Sequence, residues 1–199
     1  MFTGIIQTLG TIAAIDKYDT DLSVQISAEP AFLSDVQLGD SIACNGVCLT
    51  ATKLTADSFC ADVSGESIAF TTIGAWQIND SVNLEKAMTP EQRMGGHIVS
   101  GHVDAVGEVI SRASDGRSEQ FIFRAPPNLA KYIAVKGSIT IDGTSLTVNT
   151  VAKSDFGVNI VPHTLEHTVI SHYRAGTKVN LEVDVIARYL ERLIEAREL

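Results

Sequence analysis

The chain has 199 residues, 45% of them hydrophobic and 20% charged, an ordinary mixture for a globular protein that buries its own core. Its net charge of -9 disfavours nucleic acid and anionic membrane surfaces, which need a basic patch, and 6% aromatic residues disfavour a base-stacking platform. Nucleic-acid and membrane partners are therefore not expected.

The first residues, Met1-Phe2-Thr3-Gly4-Ile5-Ile6, have neither the basic start nor the long apolar run of a signal peptide. Leu22-Ser23-Val24-Gln25-Ile26 alternates apolar and polar residues, the period of a half-buried strand. Pro30-Ala31-Phe32-Leu33 reads as a short helical turn opened by proline. Ser41 to Thr50 reads as two β-prone runs joined by Asn45-Gly46, a dipeptide that tolerates positive φ in a tight hairpin. Three cysteines, Cys44, Cys48 and Cys60, form no regular framework. That disfavours a disulfide scaffold or a zinc site and fits a reducing cytoplasm.

The same reading then recurs. Ser138-Ile139-Thr140-Ile141-Asp142-Gly143-Thr144-Ser145-Leu146-Thr147 repeats Ser41 to Thr50 at an offset of 97 residues. That offset also pairs Gly4 with Gly101, Gly10 with Gly107, Pro30 with Pro127, Phe59 with Phe156 and Thr71 with Thr168. It carries Val82-Asn83-Leu84-Glu85 onto Val179-Asn180-Leu181-Glu182. An ordered series at one offset means that one unit is written twice. Short strands with glycine turns predict an all-β fold, one small closed barrel per copy. A second proline-led helical turn is expected at Pro127-Asn128-Leu129-Ala130. Beyond the copies, Ile186, Leu190 and Leu193 share one helical face and Asp184 is a suitable N-cap. The apolar stripe packs either on its own barrel or on other copies of the chain; the pattern fits both.

Two like barrels make two like ligand sites, which suits a reaction between two molecules of one substrate. The copies differ where chemistry would sit: Cys48 against Ser145, Asn45 against Asp142, Glu66 against His163, Ile5 against His102. A second cluster, Gly95-Gly96-His97-Ile98-Val99-Ser100-Gly101-His102-Val103-Asp104, straddles the junction. Its glycines permit close backbone approach, and its histidines suit proton transfer near neutral pH. A third, Val161-Pro162-His163-Thr164-Leu165-Glu166-His167-Thr168, offers a hydroxyl at Thr164, matched by Ser67, for a polyol or ring carbonyl. No metal-ligand spacing, P-loop, nucleophile elbow or dinucleotide fingerprint is present.

Taken together, Met-Phe-Thr-Gly-Ile-Ile, Asn-Gly-Val-Cys-Leu-Thr, Asp-Gly-Thr-Ser-Leu-Thr, the Gly-Gly-His to His-Val-Asp stretch and Pro-His-Thr-Leu-Glu-His-Thr resemble riboflavin synthase of the trimeric type. The resemblance covers essentially the whole chain. It implies two tandem six-stranded Greek-key β-barrels, residues 1–97 and 98–183, and a C-terminal oligomerisation helix, 184–199. It implies a transferase that joins two 6,7-dimethyl-8-ribityllumazine molecules without metal or organic cofactor, as a homotrimer, with lumazine synthase as a possible associate.

By the same resemblance, the N-barrel binds through Gly4, Ile5, Ile6, Cys48, Leu49, Thr50, Asp62, Val63, Ser64, Gly65, Glu66 and Ser67. The C-barrel would bind through Gly101, His102, Val103, Lys136, Ser145, Leu146, Thr147, Asn159, Ile160, Val161, Pro162, His163 and Thr164. Phe2, Ser41, Cys48, His97, His102, Asp142 and Ser145 are the candidates for chemistry or ring packing. The competing reading is a non-catalytic relative that carries one lumazine or flavin as an optical antenna. The intact Gly-Gly-His to Gly-His stretch favours the enzyme.

Overall fold

The computed structural model describes residues 1–197. Among them, strands β1 (Thr8–Tyr18), β2 (Asp21–Ser27), β3 (Ser41–Cys44), β4 (Val47–Leu54), β5 (Ser58–Val63) and β6 (Ser81–Lys86) close one antiparallel barrel. Strands β7 (Ala105–Asp115), β8 (Ser118–Arg124), β9 (Ser138–Ile141), β10 (Thr144–Ala152), β11 (Asp155–Ile160) and β12 (Lys178–Val183) close a second with the same neighbour order. Closure pairs every strand on both sides, so neither sheet has a free edge. The expected repeat extends to irregularities. Register shifts after Ile12 and Ala51 recur after Val109 and Val148, and such bulges help short strands curve round.

Alternation sends Val24, Ile26, Ile42 and Phe59 into the first barrel and Phe121, Phe123, Ile139 and Phe156 into the second. The second core is the more aromatic. Phe123 stacks on Phe121 and Phe156, with Tyr173 edge-on to Phe121 and Phe123. Asn45 and Asp142 take the positive φ of the expected hairpin turns, 44° and 43°. Helix α1 (Pro30–Leu33) forms where its proline predicted; in the second copy a 3-10 turn starts slightly later, at Ala130–Tyr132. Helices α2 (Gly65–Phe70) and α3 (Pro162–His167) follow β5 and β11 as equivalents.

Two buried amides join the barrels. Asn83 Nδ2 donates to the Asp142 carbonyl at 2.8 Å, and its Oδ1 accepts from Val169 N at 2.8 Å. Asn180 answers in reverse, donating to the Asn45 carbonyl at 2.9 Å and accepting from Thr72 N at 2.8 Å. The Asp142 carboxylate lies within this network, accepting from Asn180 N at 2.8 Å and from the Tyr173 hydroxyl. It is thus a buried structural group between the barrels. That placement differs from the chemical role expected for Asp142 from the resemblance.

Helix α4 (Val185–Glu195) starts where expected, with Asp184 Oδ1 accepting from Ile186 N at 3.0 Å. Its orientation excludes one of the two readings of its apolar stripe. Ile186, Leu190 and Leu193 are 67%, 57% and 65% exposed. The polar side meets the chain's own barrel instead, through Arg188 to Asp104 and Glu191 to Lys131 and Tyr132. The expected tail ends at residues 198–199, which lie outside the described residues. No described helix is long and apolar enough to cross a membrane.

Burial lifts the Asp142 carboxyl to about 7. Between an unfolded value of about 4 and that value, the folded chain holds a proton which the unfolded chain has released. This contribution to stability is fully present below the unfolded value and is lost as pH rises through about 7. Asp142→Asn, which restores the residue of the first copy, should flatten that dependence. Relative to the variant, wild type should lose about 2–3 kcal/mol between about pH 5 and about pH 8, read by thermal unfolding.

Candidate active site

The segments that precede β1 and β7 cross. Phe2 and Val99 pair antiparallel, with Phe2 N donating to the Val99 carbonyl at 2.8 Å and Val99 N returning the bond at 3.1 Å. Past the crossing, each segment runs onto the other barrel. Ser145 N donates to the Gly4 carbonyl at 2.8 Å, and Cys48 N to the Gly101 carbonyl at 2.9 Å. The expectation placed Gly4 to Ile6 with the N-barrel site and Gly101 to Val103 with the C-barrel site. The structure exchanges them.

A buried glutamate clamps each segment. Glu85 accepts from Thr3 N and Thr3 Oγ1, both at 2.7 Å, and from Gly4 N at 3.0 Å. Glu182 accepts from Ser100 N at 2.7 Å, Ser100 Oγ at 2.6 Å and Gly101 N at 3.0 Å. Burial raises both carboxyls, and the hydrogen bonds draw them back. Gly4 and Gly101 sit at φ 76° and 81°. A Cβ on Gly4 would fall 2.5 Å from Ser145 Cβ, and one on Gly101 2.6 Å from Cys48 Cβ. Gly96 likewise makes room for protein rather than directly for a ligand: a Cβ there would strike the Thr3 carbonyl at 2.1 Å.

The exchange builds two pockets. The first, about 250 Å³, is lined by Val47, Cys48, Glu66, Ser67, Phe70 and Thr71 of the N-barrel with Gly101, His102 and Val103. The second, about 120 Å³, is lined by Thr144, Ser145, His163, Thr164, His167 and Thr168 of the C-barrel with Gly4, Ile5 and Ile6. Every residue of one stands 97 positions from a residue of the other. Wider depressions exist, notably the inter-barrel cleft of about 630 Å³ beside Trp76, His172 and Tyr173. The duplicated lining, rather than volume, marks the candidate sites.

The frames match while the chemistry differs. The first pocket carries Cys48, Glu66 and an exposed His102. The second carries Ser145, with His163 and His167 ring centroids 4.2 Å apart. His97 stands behind Ser145, with Nδ1 2.6 Å from Ser145 Oγ and Nε2 3.2 Å from Thr140 Oγ1. Burial lowers its pKa, which favours the neutral imidazole. A proton on Nε2 directed at Thr140 leaves Nδ1 free to accept from the serine hydroxyl; this tautomer is assigned from the network.

The remaining expected residues divide. Phe2 is fully buried and packs with Ala43, Val99, Cys48 and Ala87. Leu49, Val63 and Ile160 point into the barrel cores, and Leu146 packs beside the second core. Ser41 pairs with Thr50 and lines a groove at the end of the N-barrel with Lys86 and Asp35. Thr147 is the exposed equivalent of Thr50. Asp62 and Asn159 are exposed on the barrel walls. Ser64 caps α2, and Gly65 N donates to Asp21 Oδ1 at 3.0 Å. Val161 and Pro162 open α3. Lys136 is exposed with φ 67°, where the first copy has Gly39, and lines neither pocket. Val47, Phe70, Thr71, Thr144, His167 and Thr168 line the pockets without having been expected there; the offset pairs them only with one another, so neither copy pointed to the other.

The lumazine-binding domain family matches residues 3–87 and again residues 100–184. A riboflavin synthase of Photobacterium phosphoreum is 51% identical over 194 residues, covering 98% of this chain and 89% of that one. The riboflavin synthase of Schizosaccharomyces pombe is 40% identical, covering 98% and 95%. The chain belongs to the riboflavin synthase family. LumP, solved in complex with riboflavin, superposes with a TM-score of 0.85 at 25% identity, covering 92% of this chain and 99% of that one.

The exchanged segments of this chain give a selective test. Gly101→Ala should destabilise the fold by about 2–4 kcal/mol and close the first pocket alone; Gly4→Ala should close only the second. Titration with riboflavin should show two sites per chain in wild type and one in each variant.

Proposed function

We propose that the chain dismutates two molecules of 6,7-dimethyl-8-ribityllumazine, moving a four-carbon unit from one to the other. The products are riboflavin and 5-amino-6-(D-ribitylamino)uracil. One observation carries the reading: two pockets of identical frame and different lining, suited to one ligand in two roles. The lumazine ring delocalises the carbanion formed at its 7-methyl group, so the substrate supplies much of its own activation. The protein orients two rings, moves protons and stabilises ring anions.

In the second pocket, the Ser145 hydroxyl backed by neutral His97 is placed to relay a proton from the bound ring, with Thr147 along the same strand. We assign donor chemistry to this pocket. In the first, His102 assists proton transfer and Cys48 holds the acceptor ring; Ser41 and Thr50 pair further along β3 and β4, outside that pocket.

Lys136, Ser41 and Thr50 line neither pocket of their own chain. They would act if the first pocket of one subunit faced the second pocket of the next. A homotrimer joined through the open face of α4 supplies that arrangement. We place it in the cytoplasm, with lumazine synthase as a further associate to be sought by co-elution.

Purified protein incubated with the lumazine should release riboflavin and the aminouracil in equal amounts. A tight, unchanged fluorescent complex would overturn the reading. Ser145→Ala and His97→Gln should each lower kcat about 10²- to 10³-fold, and the double variant little further, because the two act as one unit.

A further inference from the structure

The repeat supplies an internal control for each of its own contacts, and one contact has no counterpart. Gln7 and Asp104 are equivalent, and both begin alike. Gln7 Oε1 accepts from Lys86 N at 3.0 Å; Asp104 Oδ2 accepts from Val183 N at 2.8 Å. Ile5 N and His102 N also match, each donating at 3.3 Å to the hydroxyl two residues earlier. There the likeness stops. Arg188 Nη2 donates both to Asp104 Oδ2 at 2.7 Å and to the His102 carbonyl at 2.9 Å. After β6 the first copy carries no helix before β7, and the Ile5 carbonyl receives no donor among the described residues.

Arg188 lies on α4, the helix whose apolar face is open. Its Nε is buried without a partner, so the position of the guanidinium is set by the two Nη2 contacts. His102 lines the first pocket, and its neighbour Gly101 is bonded to Cys48 of the same pocket. The Arg188 charge also opposes the effect of burial on Glu182, the clamp of this segment; Glu85 has no such cation.

We propose that Arg188 is a positioning residue for the first pocket: it ties α4 to the His102 segment, so that the seating of the helix sets the lip of that pocket and leaves the other lip untouched. The helix has a second polar tether, Glu191 to Lys131 and Tyr132, which reaches the barrel body and neither pocket. It separates loss of helix docking from loss of the latch. The kinetic part of the proposal rests on the function proposed above.

The test is peptide-resolved amide hydrogen exchange on the assembled protein, with segment 3–7 as control for segment 100–104. Arg188→Met should speed exchange in 100–104 and leave 3–7 unchanged. It should also raise KM for 6,7-dimethyl-8-ribityllumazine about five- to tenfold, with kcat much less affected. Arg188→Lys should restore part of both, and Glu191→Gln should reproduce neither. Should Arg188→Met fail to fold, Asp104→Asn keeps an acceptor for Val183 N and should give the same local exchange.

Unchanged exchange in 100–104 would overturn the proposal. So would equal loss in both segments, or an equal effect of Glu191→Gln. Wild-type protein that forms no riboflavin would instead overturn the function, while the exchange comparison would still decide the latch.

Discussion

Asn83 and Asn180 hold this molecule together. Each is a buried amide whose nitrogen and oxygen both find partners inside a β-rich interior, where an unpaired amide is costly. Their reciprocal bonds to hairpin carbonyls and helical-turn amides allow one relative placement of the barrels. Two residues further along the same strands, Glu85 and Glu182 seize the crossing segments. A four-residue motif thus orients the barrels and also builds the lips of both pockets. Removing either amide would strand its partners and loosen the crossing together.

Upon this symmetric frame the chemistry is asymmetric. The backbone geometry that receives a ligand is the same twice over, to within about 0.1 Å in the clamp distances. The side chains that would act on it are not. A hydroxyl backed by imidazole stands on one side, a thiol beside an open histidine on the other. The proposed reaction, with two like ligands in unlike roles, needs both the common frame and the unlike linings. The separation of frame from lining explains how one repeat unit serves both.

Much of this was legible in the residues. The constant offset revealed the duplication, Asn45-Gly46 and Asp142-Gly143 revealed the hairpins, and Asp184 revealed the start of α4. Most pocket residues lay in motifs already singled out. The exchange of segments was not legible, because a swapped and an unswapped arrangement share one sequence pattern. Nor was the orientation of α4, since an apolar stripe looks the same whether it meets its own barrel or another chain. Asn83 and Glu85 read as ordinary polar positions in a strand; only tertiary contact shows them buried and bonded. Asp142 drew notice as a polar difference between copies, yet it pairs with Tyr173 where the first copy places Asn45 and Trp76. That difference belongs to the seam between the barrels.

The crossing at Phe2 and Val99 has a consequence for the origin of the architecture. A single copy, standing alone, lacks one wall of its own pocket, since that wall comes from the arm of the other. Two separate copies could complete each other only by trading arms about a twofold axis. The present chain has the geometry of such an arm-exchanged dimer whose two members have been joined end to end. Joining them freed each half to change its lining independently, which no dimer of identical chains can do.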